Sequence, residues 1–172
     1  MLLAVALLAL PAGARAAEPP NQNDPCSDAG RDSCGTTGVG FYKTYRYGIR
    51  WFGDYRGAVV GEAHTFCIDL RFWYPAARHR YTEVDVTAGL DNRDGAAVTR
   101  ARLEQMAYAL WAYGRSSSPD QQAAVMLFTH QMMGDGRAGE IDPSALNPRV
   151  VRLFARITRD AARYHGPYRL DV

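Results

Sequence analysis

The sequence predicts a mixed α+β fold, in which a β-rich N-terminal part of barrel or sandwich type precedes a C-terminal helical subdomain of about three helices. Residues 39–81 are rich in aromatic side chains, alternate in short runs and are punctuated by glycines, which is typical of short strands. After residue 98 the apolar residues recur at helical spacing, and capping residues mark where helices begin. The chain of 172 residues is long enough for one domain with a substantial core.

Two runs carry the β prediction. The first, residues 41–47, alternates in part and contains tyrosines and a phenylalanine, which favour a half-buried sheet surface. The second, residues 64–70, alternates more strictly, with Thr65, Cys67 and Asp69 on one face and Phe66, Ile68 and Leu70 on the other. A turn is predicted at residues 92–95, Asn-Arg-Asp-Gly.

Three helices are predicted from their start and stop signals. A capping side chain precedes each segment, proline follows the cap twice, and a glycine follows each segment. The start and stop residues are Thr99 and Gly114, Ser118 and Gly134, and Asn147 and Gly166. The second segment is apolar nearly all round from Ala123 to Phe128, which predicts a buried central helix. The predicted inward faces of the first and third are Leu103, Met106, Ala107, Leu110 and Trp111, and Val150, Leu153, Phe154, Ile157, Ala161 and Tyr164.

The two ends of the chain differ in composition from the part between them. The chain opens with an apolar run too short to anchor in a bilayer, followed by the small-x-small site Ala14-Arg15-Ala16, so residues 1–16 are predicted to be a secretory signal peptide. Residues 17–38 are interpreted as an irregular leader, 39–166 as the folded module, and 167–172 as the start of a following strand or domain. We therefore expect a secreted protein at the cell-wall surface, with further domains and no membrane span in this segment.

Charge and composition limit the possible partners. The net charge is +2, so there is no strong electrostatic case for nucleic acid or an anionic membrane. Lys43 is the only lysine, and this arginine bias suggests a GC-rich bacterial genome. His64 and Cys67 are neighbours in sequence, but strand alternation directs them to opposite faces, and no spaced Cys or His pairs occur. We predict no metal and no cofactor.

The chain contains three cysteines, an odd number for an exported protein. Cys26 and Cys34 are close enough in sequence to pair as a disulfide, which would close a small loop and stabilise the chain modestly. Cys67 is then left over. Three roles are open to it, a buried apolar residue, an intermolecular link or a reactive group, and most of the functional question depends on which applies.

Two reactions suit a lone exported cysteine. A cysteine hydrolase would need a base for Cys67, for which His64 and His130 are candidates, but no protease signature surrounds it, so we do not expect an enzyme. In an internal thioester, a Cys thiolate attacks a glutamine side-chain amide and releases ammonia, which leaves an electrophile that a partner's amine can open. The chain has the parts for this, namely Cys67 and the glutamines around the predicted buried helix, Gln121, Gln122 and Gln131.

Three segments carry a resemblance to a known family. They are residues 65–70 (Thr-Phe-Cys-Ile-Asp-Leu), residues 106–114 (Met-Ala-Tyr-Ala-Leu-Trp-Ala-Tyr-Gly) and residues 120–128 (Asp-Gln-Gln-Ala-Ala-Val-Met-Leu-Phe). In order and spacing, these segments are similar to the thioester domains at the tips of Gram-positive surface adhesins, particularly actinobacterial members. The resemblance covers roughly residues 38–165. It implies a β-sandwich or barrel-like part beside a helical part, and a Cys–Gln thioester in which Cys67 matches the family's cysteine.

The resemblance breaks at the glutamine. The family's glutamine normally lies inside the Ala-rich helix, just before a short apolar stretch that often ends in Trp. The best register places Met126 there, with Gln122 one turn earlier and Gln131 more than one turn later, and a methionine cannot form the bond. The sequence therefore favours a module without a thioester, which binds a surface protein or glycan non-covalently or has a structural role. The alternative is covalent adhesion through Cys67 and Gln122, and a cysteine hydrolase is a distant third.

Overall fold

A computed structural model describes residues 37–45, 48–55, 64–66, 68, 89–92, 95–134 and 142–166 of the chain. This part combines a two-stranded antiparallel sheet with three α-helices, so the predicted mixed α+β class is confirmed at that level. Several features that the sequence predicts lie outside the described residues. They are the signal peptide, most of the leader, residues 167–172 and all three cysteines, Cys26, Cys34 and Cys67. Within the described residues, no helix is both long and apolar enough to cross a membrane.

The sheet consists of β1 (Thr37–Tyr45) and β2 (Gly48–Tyr55). Aromatic residues pack along the pair, since the Phe41 and Phe52 rings stack at 5.9 Å and the Tyr42 and Trp51 rings meet edge to face at 4.9 Å. Phe52 is fully buried, whereas Tyr42 remains exposed at the edge. The aromatic run that predicted a half-buried sheet surface therefore forms one, beginning at Thr37 rather than Val39.

Gly40 and Gly53 face each other across the two strands, and neither position has room for a side chain. A Cβ on Gly53 would lie 2.3 Å from the Val39 carbonyl oxygen, and one on Gly40 would lie 2.2 Å from the Phe52 carbonyl oxygen. Gly53 also has a φ of 153°, which side chains rarely adopt. Glycine at these two positions lets the strands pair closely just before Asp54.

The helices are α1 (Arg100–Tyr113), α2 (Pro119–Met132) and α3 (Pro148–Tyr164), with a short 3₁₀ turn at Pro143–Ala145 before α3. All three predicted caps are confirmed, because the side chains of Thr99, Ser118 and Asn147 accept hydrogen bonds from the first turns of α1, α2 and α3. At the predicted turn, residues 93 and 94 lie outside the described residues, but the Gly95 N–H donates to the Asn92 carbonyl oxygen at 2.9 Å, which is the hydrogen bond of a β-turn.

The core is built around α2, which packs against both strands and both other helices. Its residues from Gln122 to His130 are all buried, so the prediction of a buried central helix is confirmed. Burying one large apolar side chain such as Phe128 stabilises the fold by about 1.5–3 kcal/mol, so this helix contributes much of the core's free energy.

The predicted inward faces are wrong at the ends of α1 and α3. Leu110 is 37%, Trp111 79% and Tyr164 44% exposed. Ala107, also predicted to face inward, is exposed. The buried residues of α1 are Met106, as predicted, and Ala109, three positions further along the helix. Trp111 is rotated away from that line, so its apolar character does not bring it into the core.

Candidate functional site

A buried polar cluster lies where the end of β2 meets the first turns of α2. It consists of Asp54, His64 and Gln122, and it was not predicted as a unit. The Asp54 carboxylate is completely buried and accepts hydrogen bonds from the Val39 backbone N–H, from His64 Nδ1 and from Gln122 Nε2, the last at 3.4 Å. Burying a carboxylate is unfavourable unless such donors surround it.

Local strand pairing brings His64 to Asp54. Tyr55 and Thr65 form an antiparallel bridge, with backbone hydrogen bonds of 2.8 and 3.0 Å in the two directions. Asp54 and His64 are each one residue away from that bridge, so strand alternation directs their side chains to the same face as diagonal neighbours. The Trp51 indole N–H also donates to the Asp54 carbonyl oxygen at 3.1 Å, which fixes the backbone there.

The proton between His64 and Asp54 is assigned to His64 Nδ1. The carboxylate already accepts two other N–H groups, and an ionised carboxylate has only acceptor sites. In that tautomer His64 Nε2 carries the ring's free lone pair. The His64 side chain is 24% exposed, whereas the Asp54 side chain is completely buried. The imidazole ring therefore lies at the edge of the core.

Gln122 is fully buried in the second turn of α2, and its amide orientation is fixed by its neighbours. Its Nε2 carries two hydrogens and donates to the carbonyl oxygens of Gly114 and Ser116 at 2.8 Å each, with Asp54 Oδ2 as a third, weaker acceptor at 3.4 Å. Three acceptors around one atom identify that atom as the nitrogen. The Gln122 Oε1 atom is also buried, yet it has no hydrogen-bond partner among the described residues. An unpaired buried carbonyl costs about 1–3 kcal/mol of stability. The hydrogen bonds of the nitrogen therefore fix the orientation of the amide, although its oxygen makes none.

The loop that supplies these carbonyl oxygens is anchored to both neighbouring helices. Gln121 Nε2 donates to the Tyr113 carbonyl oxygen at 3.1 Å, and the Tyr113 hydroxyl donates to the Asp160 carboxylate in α3. Burial, and then the hydrogen bond to Asp160, raise the pKa of Tyr113 to about 12. The same hydrogen bond lowers the pKa of Asp160. These contacts hold residues 113–116 where they can bind the Gln122 nitrogen.

An apolar groove of about 1060 Å³ adjoins the cluster. Residues 64–66 and Ile68 form one wall, and α1 forms the other. Its lining includes His64 and Gly114, which contact Asp54 and Gln122 respectively, so the groove reaches the edge of the buried cluster. Its apolar lining comes from Phe66, Ile68, Leu90, Leu103, Met106, Leu110 and Trp111.

The residues that the sequence singled out are only partly brought together. Gln122 is in the cluster, whereas Gln131 is exposed. Cys67 lies outside the described residues, but Phe66 and Ile68 on either side of it both pack against the hydrophobic core. Met126 is buried one turn after Gln122, and its sulfur accepts the Gly53 N–H at 3.5 Å.

The two candidate histidines differ in location. His64 is in the cluster, as described. His130 is nearly fully buried eight residues after Gln122, a rise of about 12 Å along the axis of α2. His130 is therefore too far along the helix to act on the Gln122 amide. No three His, Cys, Asp or Glu side chains in the described ranges form a group that could hold a metal ion.

Comparisons of the chain with protein families, with curated proteins and with solved structures found no match. The function must therefore be inferred from the Gln122 cluster together with the sequence resemblance. The residue that the sequence missed is Asp54. It lies in the run Gly-Asp-Tyr-Arg-Gly of residues 53–57, whose flanking glycines are typical of a surface turn, and nothing in the sequence pairs it with position 122.

Proposed function

We propose that this chain is the interaction module of a secreted bacterial surface protein, and that it binds partners covalently through an internal thioester between Cys67 and Gln122. The observation that carries the proposal is the Gln122 amide. It is fully buried, its nitrogen is held by three acceptors, and it shares the Asp54 carboxylate with His64, which precedes Cys67 by three residues in the sequence. A stored thioester needs such a dry location, because water would hydrolyse it.

The reaction balances within the chain. The Cys67 sulfur attacks the Gln122 side-chain carbonyl carbon, the C–N bond breaks, and the thiol proton leaves with the amide nitrogen as ammonia. The three acceptors around Nε2 suit that leaving group, because ammonia can still donate to each of them. A partner amine later attacks the same carbon, forms an amide and returns a proton to the sulfur.

Burial supports Gln122 over the other glutamines. Gln131 is exposed, and Gln121 is only partly buried with its nitrogen bound to the Tyr113 carbonyl oxygen. The sequence register that assigns the reactive position to Met126 stays a prediction. Met126 packs its sulfur against the Gly53 N–H, a contact that serves to hold α2 on β2.

A second candidate is the non-covalent module that the sequence favours. The groove beside the cluster supports it, since Leu110 and Trp111 line this groove and are exposed apolar side chains. In this version, a surface protein or glycan binds in the groove and Cys67 remains a thiol. A cysteine hydrolase that uses the same residues is a third and less favoured candidate.

The wider setting belongs to the same proposal. Residues 1–16 act as a signal peptide, and a Cys26–Cys34 disulfide closes the leader. The paired strands β1 and β2 support a larger barrel- or sandwich-like β part, of which they would be one hairpin. The module acts at the cell-wall surface and is not an enzyme.

Intact mass spectrometry tests the covalent version. The mature domain should be lighter than its sequence by one ammonia, beyond the loss from any disulfide, and methylamine should convert it to an adduct at Gln122. Cys67→Ala and Gln122→Ala should abolish both effects, whereas the matched controls Gln121→Ala and Gln131→Ala should retain them. An unshifted mass with a freely titratable Cys67 thiol would exclude the thioester and leave the groove-binding version.

A further inference from the structure

We propose that the exposed face of α3, together with the aromatic rings beside it, binds a linear polysaccharide in which carboxylate-bearing sugars alternate with uncharged ones. Five arginines form this face, and we call them the arginine row: Arg149, Arg152, Arg156, Arg159 and Arg163. This binding site goes beyond the proposed thioester and does not depend on it, since the arginine row and the Gln122 cluster share no residue.

The arginine row is a product of helical spacing. Its members recur every three or four residues, so on a helix of about 3.6 residues per turn they fall within an arc of about 80°. All five are exposed, while the buried residues Val150, Ile157 and Ala161 lie on the opposite side of the helix. From its first member to its last, the row rises about 21 Å along the axis. It therefore suits an extended ligand better than a single small ion.

The charge of α3 is one-sided, although the net charge of the whole chain is only +2. Asp160 is the only acidic residue of the helix, beside five arginines. The sequence alone gives no electrostatic case for an anionic partner, because it does not show that these arginines share one exposed face. The structure concentrates them there, and a carboxylate-bearing polymer matches the sign of this charge.

Two members of the arginine row already bind carboxylates. Arg149 Nε lies 3.5 Å from an Asp120 oxygen, and Arg156 Nε lies 3.5 Å from an Asp160 oxygen. A guanidinium presents its N–H donors in a planar fork that matches a carboxylate. The other three members form no salt bridge with any described residue, so their donors are available to the carboxylates of a ligand.

Aromatic rings continue the site from the end of the arginine row onto α1. The Arg163 guanidinium lies 5.2 Å from the centre of the Tyr164 ring, and the Tyr108 ring follows at 6.1 Å from Tyr164 and 6.2 Å from Trp111. Trp111 and Tyr164 are both exposed. Exposed apolar surface with a polar rim is typical of an interaction site. The C–H face of a sugar can pack on these rings while its carboxylate reaches the arginines.

The carboxylates within this surface favour a polysaccharide over a nucleic acid. Asp120 and Asp160 lie among the arginines, each beside a member of the row. A nucleic acid carries a phosphate on every unit, and these carboxylates would repel it. In the alternating polysaccharide, the uncharged sugars bring hydroxyl groups between the carboxylates, and a hydroxyl can donate to an aspartate.

The first experiment titrates the mature chain with a hyaluronan oligosaccharide in a calorimeter. The double variant Arg152→Gln/Arg159→Gln removes two charges from the row without breaking a salt bridge of the described residues. We expect its Kd to rise by about fivefold or more, since each exposed charge pair contributes modestly. The matched control Arg100→Gln/Arg102→Gln removes the same charge from exposed positions of α1 and should change the Kd by less than about twofold.

The second experiment separates charge, geometry and stacking. Arg152→Lys/Arg159→Lys keeps the charge but loses the planar fork, so its Kd should lie between those of wild type and the glutamine variant. Trp111→Ala should raise the Kd by about fivefold because it removes the most exposed ring. Circular dichroism and thermal melting report the folding of each variant.

The outcomes decide the ligand class. Equal Kd values for wild type and the folded glutamine variant, or no binding of the oligosaccharide by wild type, would overturn the proposal. Tighter binding of oligothymidylate than of hyaluronan would assign the arginine row to nucleic acid instead. An unchanged Kd in Trp111→Ala would remove the rings from the site. Methylamine, which opens a thioester, should leave the Kd unchanged, so this proposal and the thioester proposal fail independently.

Discussion

Gln122 Nε2 lies 3.4 Å from Asp54 Oδ2 and thereby joins the start of the central helix to the end of β2. Both side chains are fully buried, and they are 68 residues apart in sequence. The contact makes the cluster a property of the tertiary fold. A substitution at either residue changes the stability of the fold as well as the chemistry of the site.

Asp54→Ala should lower the free energy of unfolding by about 3 kcal/mol. The substitution leaves the part-buried donors of Val39 and His64 without this acceptor, and unsatisfied buried groups each cost about 1–3 kcal/mol. Urea denaturation measures the loss. Asp91→Ala, at an exposed aspartate, serves as the control and should change stability by less than about 0.5 kcal/mol. Equal losses in the two variants would contradict the burial of Asp54.

Gly53→Ala should destabilise the sheet much more than Gly95→Ala. Both glycines have positive φ, but a Cβ at Gly53 would lie 2.3 Å from the Val39 carbonyl oxygen, whereas nothing lies within 4 Å of one at Gly95. The control should therefore show only the conformational cost of about 1 kcal/mol, and Gly53→Ala should add the displacement of a strand. Thermal melting of the two variants makes the comparison, and similar melting temperatures would contradict the close strand approach.

Met106→Ala should cost about 2–5 kcal/mol of stability, the usual range for a buried methionine, whereas Trp111→Ala should leave stability nearly unchanged. The reason is that Met106 is buried in the core, while Trp111 is 79% exposed at the groove. Urea denaturation of both variants is the measurement. A large loss from Trp111→Ala would restore the inward face that the sequence predicted for α1.

Tyr113→Phe should make the free energy of unfolding depend less on pH in the alkaline range. The folded pKa of Tyr113 is raised from 10.0 to about 12, so its contribution is complete below pH 10 and is lost as the pH rises to about 12. The wild type should lose more stability over that interval than the variant. Because Tyr113 is partly exposed, the difference should be well below the roughly 1.4 kcal/mol per pKa unit of a fully shielded group.

Stability at acidic pH provides a second test of the Tyr113→Phe variant. The hydrogen bond from Tyr113 lowers the pKa of Asp160, so the corresponding stability is present above the unfolded value of 3.8 and is lost as the pH falls below it. The variant should therefore also lose less stability than wild type on acidification. Parallel profiles for the two proteins at both extremes of pH would contradict the pairing of Tyr113 with Asp160.

The helices could be predicted from the sequence because their signals are local. Ser118 with Pro119, and Asn147 with Pro148, mark helix starts through contacts within one turn. The apolar run from Ala123 to Phe128 likewise indicates burial by itself. Trp111 shows where that reasoning fails, since its exposure depends on how α1 is rotated against α2, and sequence periodicity specifies that rotation only loosely.

The cluster could not be predicted because its contacts are distant in sequence. Asp54 resembles a turn aspartate until the Tyr55–Thr65 bridge brings His64 beside it. Gln122 was named as a candidate, but its burial and its three acceptors follow from the packing of α2 against β2 and from the path of the loop after α1. No local pattern in the sequence indicates these contacts between distant segments.

The loop between α1 and α2 holds the Gln122 amide with the backbone oxygens of Gly114 and Ser116, not with side chains. Backbone oxygens are common to all twenty residue types. Substitutions in the loop that preserve its path should therefore leave the amide's environment intact, whereas inserting or deleting one residue should displace both oxygens together. In relatives of this chain, the feature to compare would be the spacing between the tyrosine that ends α1 and the glutamine of α2, rather than the identity of the residues between them.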